Sequence, residues 1–284
     1  MTKIKIVTDS TADISQEIVD KYDIEVIPLT IIMQGKTYLD RVDFTNEEFY
    51  QVLRTCEELP TTSQITPAVF AQTYLKLAEE GVTDIVSIHL ASELSGTYQS
   101  SVIAAGLVAD KVKVHCIDSK TATIGLGLVV MNVAQKAAET QDLAETLAVA
   151  KEASEKTHIY FLLDSLDNLY KGGRIGKAGQ LVGSLLNIKP VLNLHAGEIS
   201  AYEKVRGNRE GKALERLIEI LKEKIDPNKK LYCVIGYSDN LEAAEYMAEK
   251  LKEHLQCEDF IFMQMGCVIG IHIGLGAVGM TFYQ

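Results

Sequence analysis

The sequence predicts an α/β protein in which a parallel sheet, covered by helices on both faces, precedes a smaller mixed sheet. Three observations carry this. Residues 84–90 and 112–117 are short, largely apolar segments of the kind buried on both faces of a parallel sheet. They alternate with helix-length segments in the rhythm of βαβ units. Past residue 157 the rhythm changes, and residues 188–195 and 198–205 flank Ala196-Gly197 as a hairpin. A chain of 284 residues is long enough for two domains. They are placed at 1–160 and 161–284, although no linker composition marks the boundary.

Each element follows in order. Residues 4–8 form a β-branched strand leading into Asp9-Ser10-Thr11-Ala12-Asp13 and a brief helix over 16–22. Residues 24–33 read as one strand ending at the turn Gln34-Gly35-Lys36, and a helix spans 46–58. Pro60-Thr61-Thr62-Ser63-Gln64 reads as a loop. Thr66 then caps, and Pro67 opens, a helix that stops at Gly81. Between the two apolar strands lie the loop 91–96 and a helix from Thr97. After Asp118-Ser119, helices are expected over 126–138 and 143–156. The second half gives a strand at 159–163 and a short helix at 166–170 ending in Lys171-Gly172-Gly173. The hairpin and a charged helix to about residue 225 come next. A strand at 231–237, a helix at 241–255, a strand at 260–265 and a glycine-rich end complete it.

Composition excludes several classes. The net charge is −11, with 28 basic against 39 acidic residues, only 7% aromatics and no Trp. Both the phosphate-repelling surface and the scarcity of stacking rings argue against nucleic acid. The five cysteines contain no Cys-x-x-Cys pair, so neither a disulfide framework nor a zinc site is expected. The first residues show no secretory apolar region, and residues 267–283 are too broken by glycines, with His272 among them, to span a membrane. A cytoplasmic protein without cofactor or metal is expected. Charge is uneven: residues 156–230 hold 14 basic and 9 acidic residues, a local excess of +5 on a body of −16. This is either a docking face or one helix with ordinary i,i+4 pairing around Glu215, Arg216, Glu219 and Lys222.

Familiar nucleotide and hydrolase motifs fail. The segment at Gly173–Lys177 has Lys171 where a Walker loop needs glycine and Ala178 where it needs Ser or Thr. Gly125-Leu126-Gly127 lacks the third glycine of a dinucleotide fingerprint, and there is no Gly-x-Ser-x-Gly elbow. What remains are four polar loops at strand ends, 9–13, 61–64, 92–97 and 118–121, which a parallel sheet gathers at its carboxyl edge. Leu94-Ser95-Gly96-Thr97 places hydroxyl and N–H groups at the positive end of a helix, suited to a carboxylate or phosphate; Ser95 serves equally as a plain helix cap. Thr61, Thr62 and Ser63 are three consecutive hydroxyls with no evident structural task. His272, among glycines, is read as a loop histidine able to donate to an anion. The other five histidines have no acidic neighbours at ligand spacing and are taken as structural.

Together these segments resemble one family. Val7-Thr8-Asp9-Ser10-Thr11-Ala12-Asp13, Pro60-Thr61-Thr62-Ser63-Gln64, Leu94-Ser95-Gly96-Thr97, Ile117-Asp118-Ser119, Lys171-Gly172-Gly173-Arg174-Ile175, Lys189-Pro190 and Gly270-Ile271-His272 occur in the order of the DegV family. The resemblance covers essentially the whole chain. It implies a doubly wound α/β domain, then a smaller two-layer α/β mixed-sheet domain, as in the dihydroxyacetone-kinase substrate subunit. It also implies a binding protein, not an enzyme, that holds one long-chain fatty acid such as palmitate or oleate between the domains and presents it to a separate ATP-dependent fatty-acid kinase. Carried over, Thr62 and Ser95 bond the carboxylate, with Thr61, the Gly96 N–H and His272 assisting, and Arg174 and Arg206 face the kinase. Ile65 and Leu275 stand where the family commonly has Pro. Two rivals are kept: a serine hydrolase using Ser95, His272 and Asp9 or Asp118, and a small-molecule kinase suggested by fold alone.

Overall fold

In the computed structural model, which describes residues 3–181, 188–206, 209–255 and 260–284, β1 (Ile4–Asp9) is buried from Lys5 onward. It continues into a 3-10 turn, Ser10–Ala12, and α1 (Gln16–Tyr22), where Ser15 accepts from the Ile18 N–H. The single strand expected over 24–33 is in fact two, β2 (Glu25–Ile27) and β3 (Thr30–Met33). Pro28, which has no N–H for a ladder, stands between them, and β3 leaves the first sheet. It turns through Gln34 and Gly35, at φ 51° and 72°, into β4 (Lys36–Leu39). After α2 (Asn46–Thr55), opened by a Thr45–Glu48 capping box, comes β5 (Thr61–Ser63). This strand replaces the expected loop by pairing antiparallel with β3 in a small sheet ordered β4-β3-β5. Three hydroxyl residues carry no apolar alternation, so only their partner reveals them as a strand.

The next elements are α3 (Pro67–Glu79), β6 (Asp84–His89), α4 (Thr97–Leu107), β7 (Lys113–Asp118), α5 (Thr123–Thr140) and α6 (Leu143–Lys156). Thr66 caps α3 with Pro67 in its first turn, and Gly81 follows the helix at φ 83°. β2-β1-β6-β7 are parallel throughout. Successive residues feed opposite faces. Ile6, Val86 and Ile88 pack with Leu126, Val130 and Ala150 of α5 and α6, whereas Val7 and Ile85 pack with Phe49, Phe70, Tyr74 and Ala104. The domain is doubly wound, and its strand order reverses between β1 and β6, where ligand crevices form.

The chain crosses to a second sheet at β8 (His158–Leu162), followed by α7 (Asp167–Lys171) and the hairpin β9 (Ile188–His195) and β10 (Glu198–Arg206). A π turn, Arg209–Ala213, leads to α8 (Leu214–Lys224), β11 (Tyr232–Tyr237), α9 (Leu241–Leu255) and β12 (Ile261–Gln264). The glycine-rich end is not irregular: it forms α10 (Cys267–Ile273) and β13 (Val278–Tyr283). β13 lies inside the six-stranded sheet β10-β9-β8-β13-β11-β12, antiparallel to both β8 and β11. One face of this sheet, with Tyr160, Leu162, Ile235 and Met280, packs on α8 and α9 through Leu217, Leu221, Met247 and Leu251. The other face, with Ile159, Phe161, Leu194 and Val234, shares the core containing Leu126 and Val130 of α5. α5 is therefore the layer between the two sheets. In the basic stretch, Arg216 is bound by Glu203, Glu219 and Glu223 at 2.9–3.0 Å, so part of that excess charge is paired internally.

Candidate binding site

One cavity of about 410 Å³ lies between the two sheets, within the range of small-molecule sites. Its walls are mostly apolar: Leu29, Leu90 and Leu94 from the first half, Ile159, Phe161, Leu194 and Ile199 from the second sheet, and Val268, Ile269 and Ile273 from α10. Thr62, Ser63, Gln64, Ser95, Gly96, Thr123, Arg174 and His272 supply its polar lining. Thr62 meets His272, the Gln64 amide lies against Gly96 beside Ser95, and Arg174 bonds the Leu94 and Gly172 carbonyls, which makes a polar head end.

β5 positions the first of these residues. Because side chains alternate along a strand, Thr61 and Ser63 are exposed while Thr62 turns inward. The Thr62 hydroxyl meets His272 Nε2 at 2.9 Å. Ser63 still contributes to the cavity rim, but Thr61 does not line the cavity. At the second segment the chain turns after β6, with the Leu94 and Ser95 N–H groups donating to the Ala91 carbonyl at 3.0 and 3.2 Å. Gly96 is the N-cap of α4 and contributes no side chain. Ser95 Oγ accepts from the Thr97 N–H (3.3 Å) and lies 3.0 Å from the Thr97 hydroxyl. Ser95 therefore both steadies the helix start and faces the cavity; the two readings coexist. A Cβ on Gly96 would stand 2.1 Å from Gln64 Oε1, so the bare backbone lets the Gln64 amide lie across the start of α4. That amide donates from Nε2 to Ser100 Oγ at 3.0 Å, tying β5 to α4.

His272 is not a loop residue; it occupies the last turn of α10. Its ring packs on Gly172, where a Cβ would be 2.5 Å from Nδ1, and Nδ1 is buried without a hydrogen-bond partner among the described residues. Burial, with the nearby Arg174 charge adding to it, lowers the pKa of His272 from 6.5 to about 4, so the ring is neutral at pH 7. A neutral imidazole carries one N–H. If Nε2 holds it, His272 donates to Thr62 and leaves the threonine proton for a ligand. If Nδ1 holds it, the ring accepts from Thr62 and its own N–H is buried against Gly172 without a partner among the described residues. In the Nε2 tautomer the pair has one donor to spare.

Arg174 reaches this end from the segment after α7. Its Nε donates to the Leu94 carbonyl (3.2 Å) and its Nη1 to the Gly172 carbonyl (2.7 Å), bridging the two halves. The four polar loops at the strand ends contain no arginine, but the segment after α7 brings one to the same cavity. Arg206 is elsewhere, exposed at the end of β10 in a separate groove with Lys204, Lys212 and Arg216. The residues of the hydrolase alternative do not assemble into a triad. His272 is engaged by Thr62, Ser95 by Thr97, Asp9 by His89 (3.0 Å) and Asp118 by Ser92 and Lys120. His89, expected to lack an acidic neighbour, is fully buried on Asp9, and His115 meets Asp84 at 3.1 Å; folding supplies partners that spacing does not. Within residues 27–33 only Leu29 lines the cavity, and Leu126, Leu128, Val129, Val130 and Val133 of α5 pack in the core without lining it.

Sequence reasoning missed the contributions of Gln64, Gly172 and Arg174 to this end. All three lie in motifs that stood out, but their convergence needs chain segments about a hundred residues apart to meet. Among the described residues no group of His, Cys, Asp and Glu side chains is arranged to hold a metal ion, and no helix is long and apolar enough to cross a membrane.

Comparison with known proteins gives the same outline. The family model described as "Uncharacterised protein, DegV family" matches residues 3–284. A DegV domain-containing protein of Caldanaerobacter subterraneus is 38% identical over 285 residues, covering 100% of both chains. Among solved structures, a DegV family protein from Thermus thermophilus, described for its fatty acid binding, is 32% identical with a TM-score of 0.91 over 100% of both chains. The fatty acid binding protein DegV from Bacillus subtilis is 29% identical with a TM-score of 0.90, again covering 100% of both. A stearic acid-binding protein from Eubacterium ventriosum is 26% identical with a TM-score of 0.89, covering 100% of this chain and 98% of that one. With the whole length matched in sequence and in fold, this chain belongs to the DegV family.

Proposed function

We propose that the protein binds one long-chain fatty acid in the cavity between its two sheets and presents the carboxylate to a separate ATP-dependent kinase. The observation that carries this reading is the division of one cavity into apolar walls and a head end with an unspent donor on the Thr62–His272 pair. The fatty-acid ligands of the related proteins support the same class of occupant. Burying a sixteen-carbon acid, at roughly 0.8 kcal/mol per methylene, would offer on the order of 11 kcal/mol before binding costs. The tail thus provides affinity, while Ser95, Thr62, the Gly96 N–H at the positive end of α4 and His272 fix the head. Thr61 is exposed and takes no part in holding it. Hydroxyl groups hold a carboxylate without covering it, leaving an oxygen open to a phosphoryl donor. Arg174 at the rim and exposed Arg206 are the side chains proposed to meet the kinase.

Ser95→Ala and Thr62→Ala each remove a neutral donor from a charged acceptor and should weaken retention by roughly 1–3 kcal/mol. Displacement of a fluorescent fatty acid measures this, and unchanged affinity in both variants would put the head group elsewhere. In the same assay Arg206→Glu should leave retention intact while lowering acyl-phosphate formation when the kinase and ATP are supplied.

A further inference from the structure

Two glycines behind the apolar wall stand where their own elements gain nothing from them. Gly125 lies in the first turn of α5 and Gly236 inside β11, and glycine weakens helix and strand alike. Gly127, close to Gly125 on α5, has a backbone reason: a Cβ there would stand 2.4 Å from the Ala12 carbonyl oxygen, so its bareness lets the helix approach the turn after β1. At the other two positions the crowding atoms are side chains. A Cβ on Gly125 would stand 2.2 Å from Thr121 Oγ1 and 2.6 Å from Ile159 Cδ1. One on Gly236 would stand 2.5 Å from Ile124 Cγ2 and 2.9 Å from Met265 Cε.

Ile159 and Met265 both line the cavity, and each is only 3% exposed. The terminal carbon of each rests on a glycine, while the same side chain borders the empty space. A close-packed interior offers a displaced methyl no other room, so a methyl group added at 125 or 236 drives the lining into the cavity. Their places in the fold set both residues along the tail. Ile159 of β8 pairs with Leu194 of β9, which pairs with Ile199 of β10, so three aliphatic lining residues cross three strands in one row. Ile199 marks the head side of that row: a Cβ on Gly176, two residues past Arg174, would stand 2.5 Å from its carbonyl oxygen. Met265 precedes α10, whereas His272 lies in its last turn, roughly 10 Å further along the helix.

We propose that Gly125 and Gly236 set the acyl capacity of the cavity by letting Ile159 and Met265 stand back from it, which makes these two side chains determinants of chain length. This rests on the fatty-acid reading above. Competition of myristate, palmitate and stearate against a fluorescent fatty acid tests it, read as the stearate-to-myristate affinity ratio so that general weakening cancels. Gly125→Ala and Gly236→Ala should each lower that ratio about tenfold, the worth of one to two methylenes. Ile159→Ala and Met265→Ala, which deepen the cavity without crowding the core, should raise it about threefold. Gly236→Ala combined with Met265→Ala should return it toward the wild-type value. Where alanine at 125 or 236 prevents folding, the two lining variants decide. A ratio unmoved in the lining variants, or glycine variants that fold and weaken all three acids equally, would overturn the proposal. Wild type that binds none of the acids overturns the fatty-acid reading itself; wild type that binds them, with the ratio unmoved across the variants, overturns the proposal alone.

Discussion

His272 concentrates the physical chemistry of the head end in one side chain. Its pKa is lowered to about 4 by burial first and by Arg174 second. The unfolded chain therefore binds this proton near pH 6.5 and the folded chain only near pH 4. The stability associated with the neutral ring is fully present above pH 6.5 and lost as pH falls toward 4. Relative to His272→Gln, the wild type should lose on the order of 3 kcal/mol across that window in urea unfolding at each pH. Parallel pH profiles would show that the ring is not desolvated as described. At this scale the sequence was legible where a motif announced itself: Thr62, Ser95, Gly96 and His272 all stood out. Gln64, Gly172 and Arg174 did not stand out as parts of the head end, because Gln64 has to meet Gly96, and Gly172 and Arg174 have to meet His272, in space. No spacing encodes that.

Elements with strong local signals were legible almost to the residue. α6 and α9 have marked starts and amphipathic faces, and α3 carries both its Thr66 cap and its opening Pro67. β5, α10 and β13 were hidden for a common reason. None of them alternates polar with apolar residues: β5 is all hydroxyl, and α10 and β13 are buried almost throughout, so each is defined by what it packs against. Gly279 illustrates this. It pairs with Phe161 between β13 and β8, and a Cβ there would meet Phe161 Cβ at 2.6 Å and the Tyr160 carbonyl at 2.7 Å. Gly279→Ala should therefore cost about 1–3 kcal/mol by forcing two interior strands apart, read as a lower urea midpoint. An unchanged midpoint would mean that this pairing tolerates bulk and that the glycine serves another purpose. The division of 24–33 into β2 and β3 has the same lesson: Pro28 was visible, but the change of sheet it permits was not.

At the scale of the molecule, the two halves are joined by a shared core, not by a linker. α5 packs between the sheets, the cavity opens beside it, and Arg174 and His272 from the second half bond Leu94 and Thr62 of the first. Part of the 47% apolar content lines this space. The two-sheet architecture was legible from the change of rhythm after residue 157, whereas the cavity between the sheets was not. Its lining residues, scattered from Leu29 to Ala277, follow the same apolar pattern as ordinary core. The fatty-acid account is tested most directly by extracting lipid from the purified protein, identifying it by mass spectrometry, and titrating delipidated protein with palmitate and oleate. The account predicts about one long-chain fatty acid per chain and saturable uptake at that stoichiometry. Protein that carries no acyl lipid and takes up neither acid would contradict it.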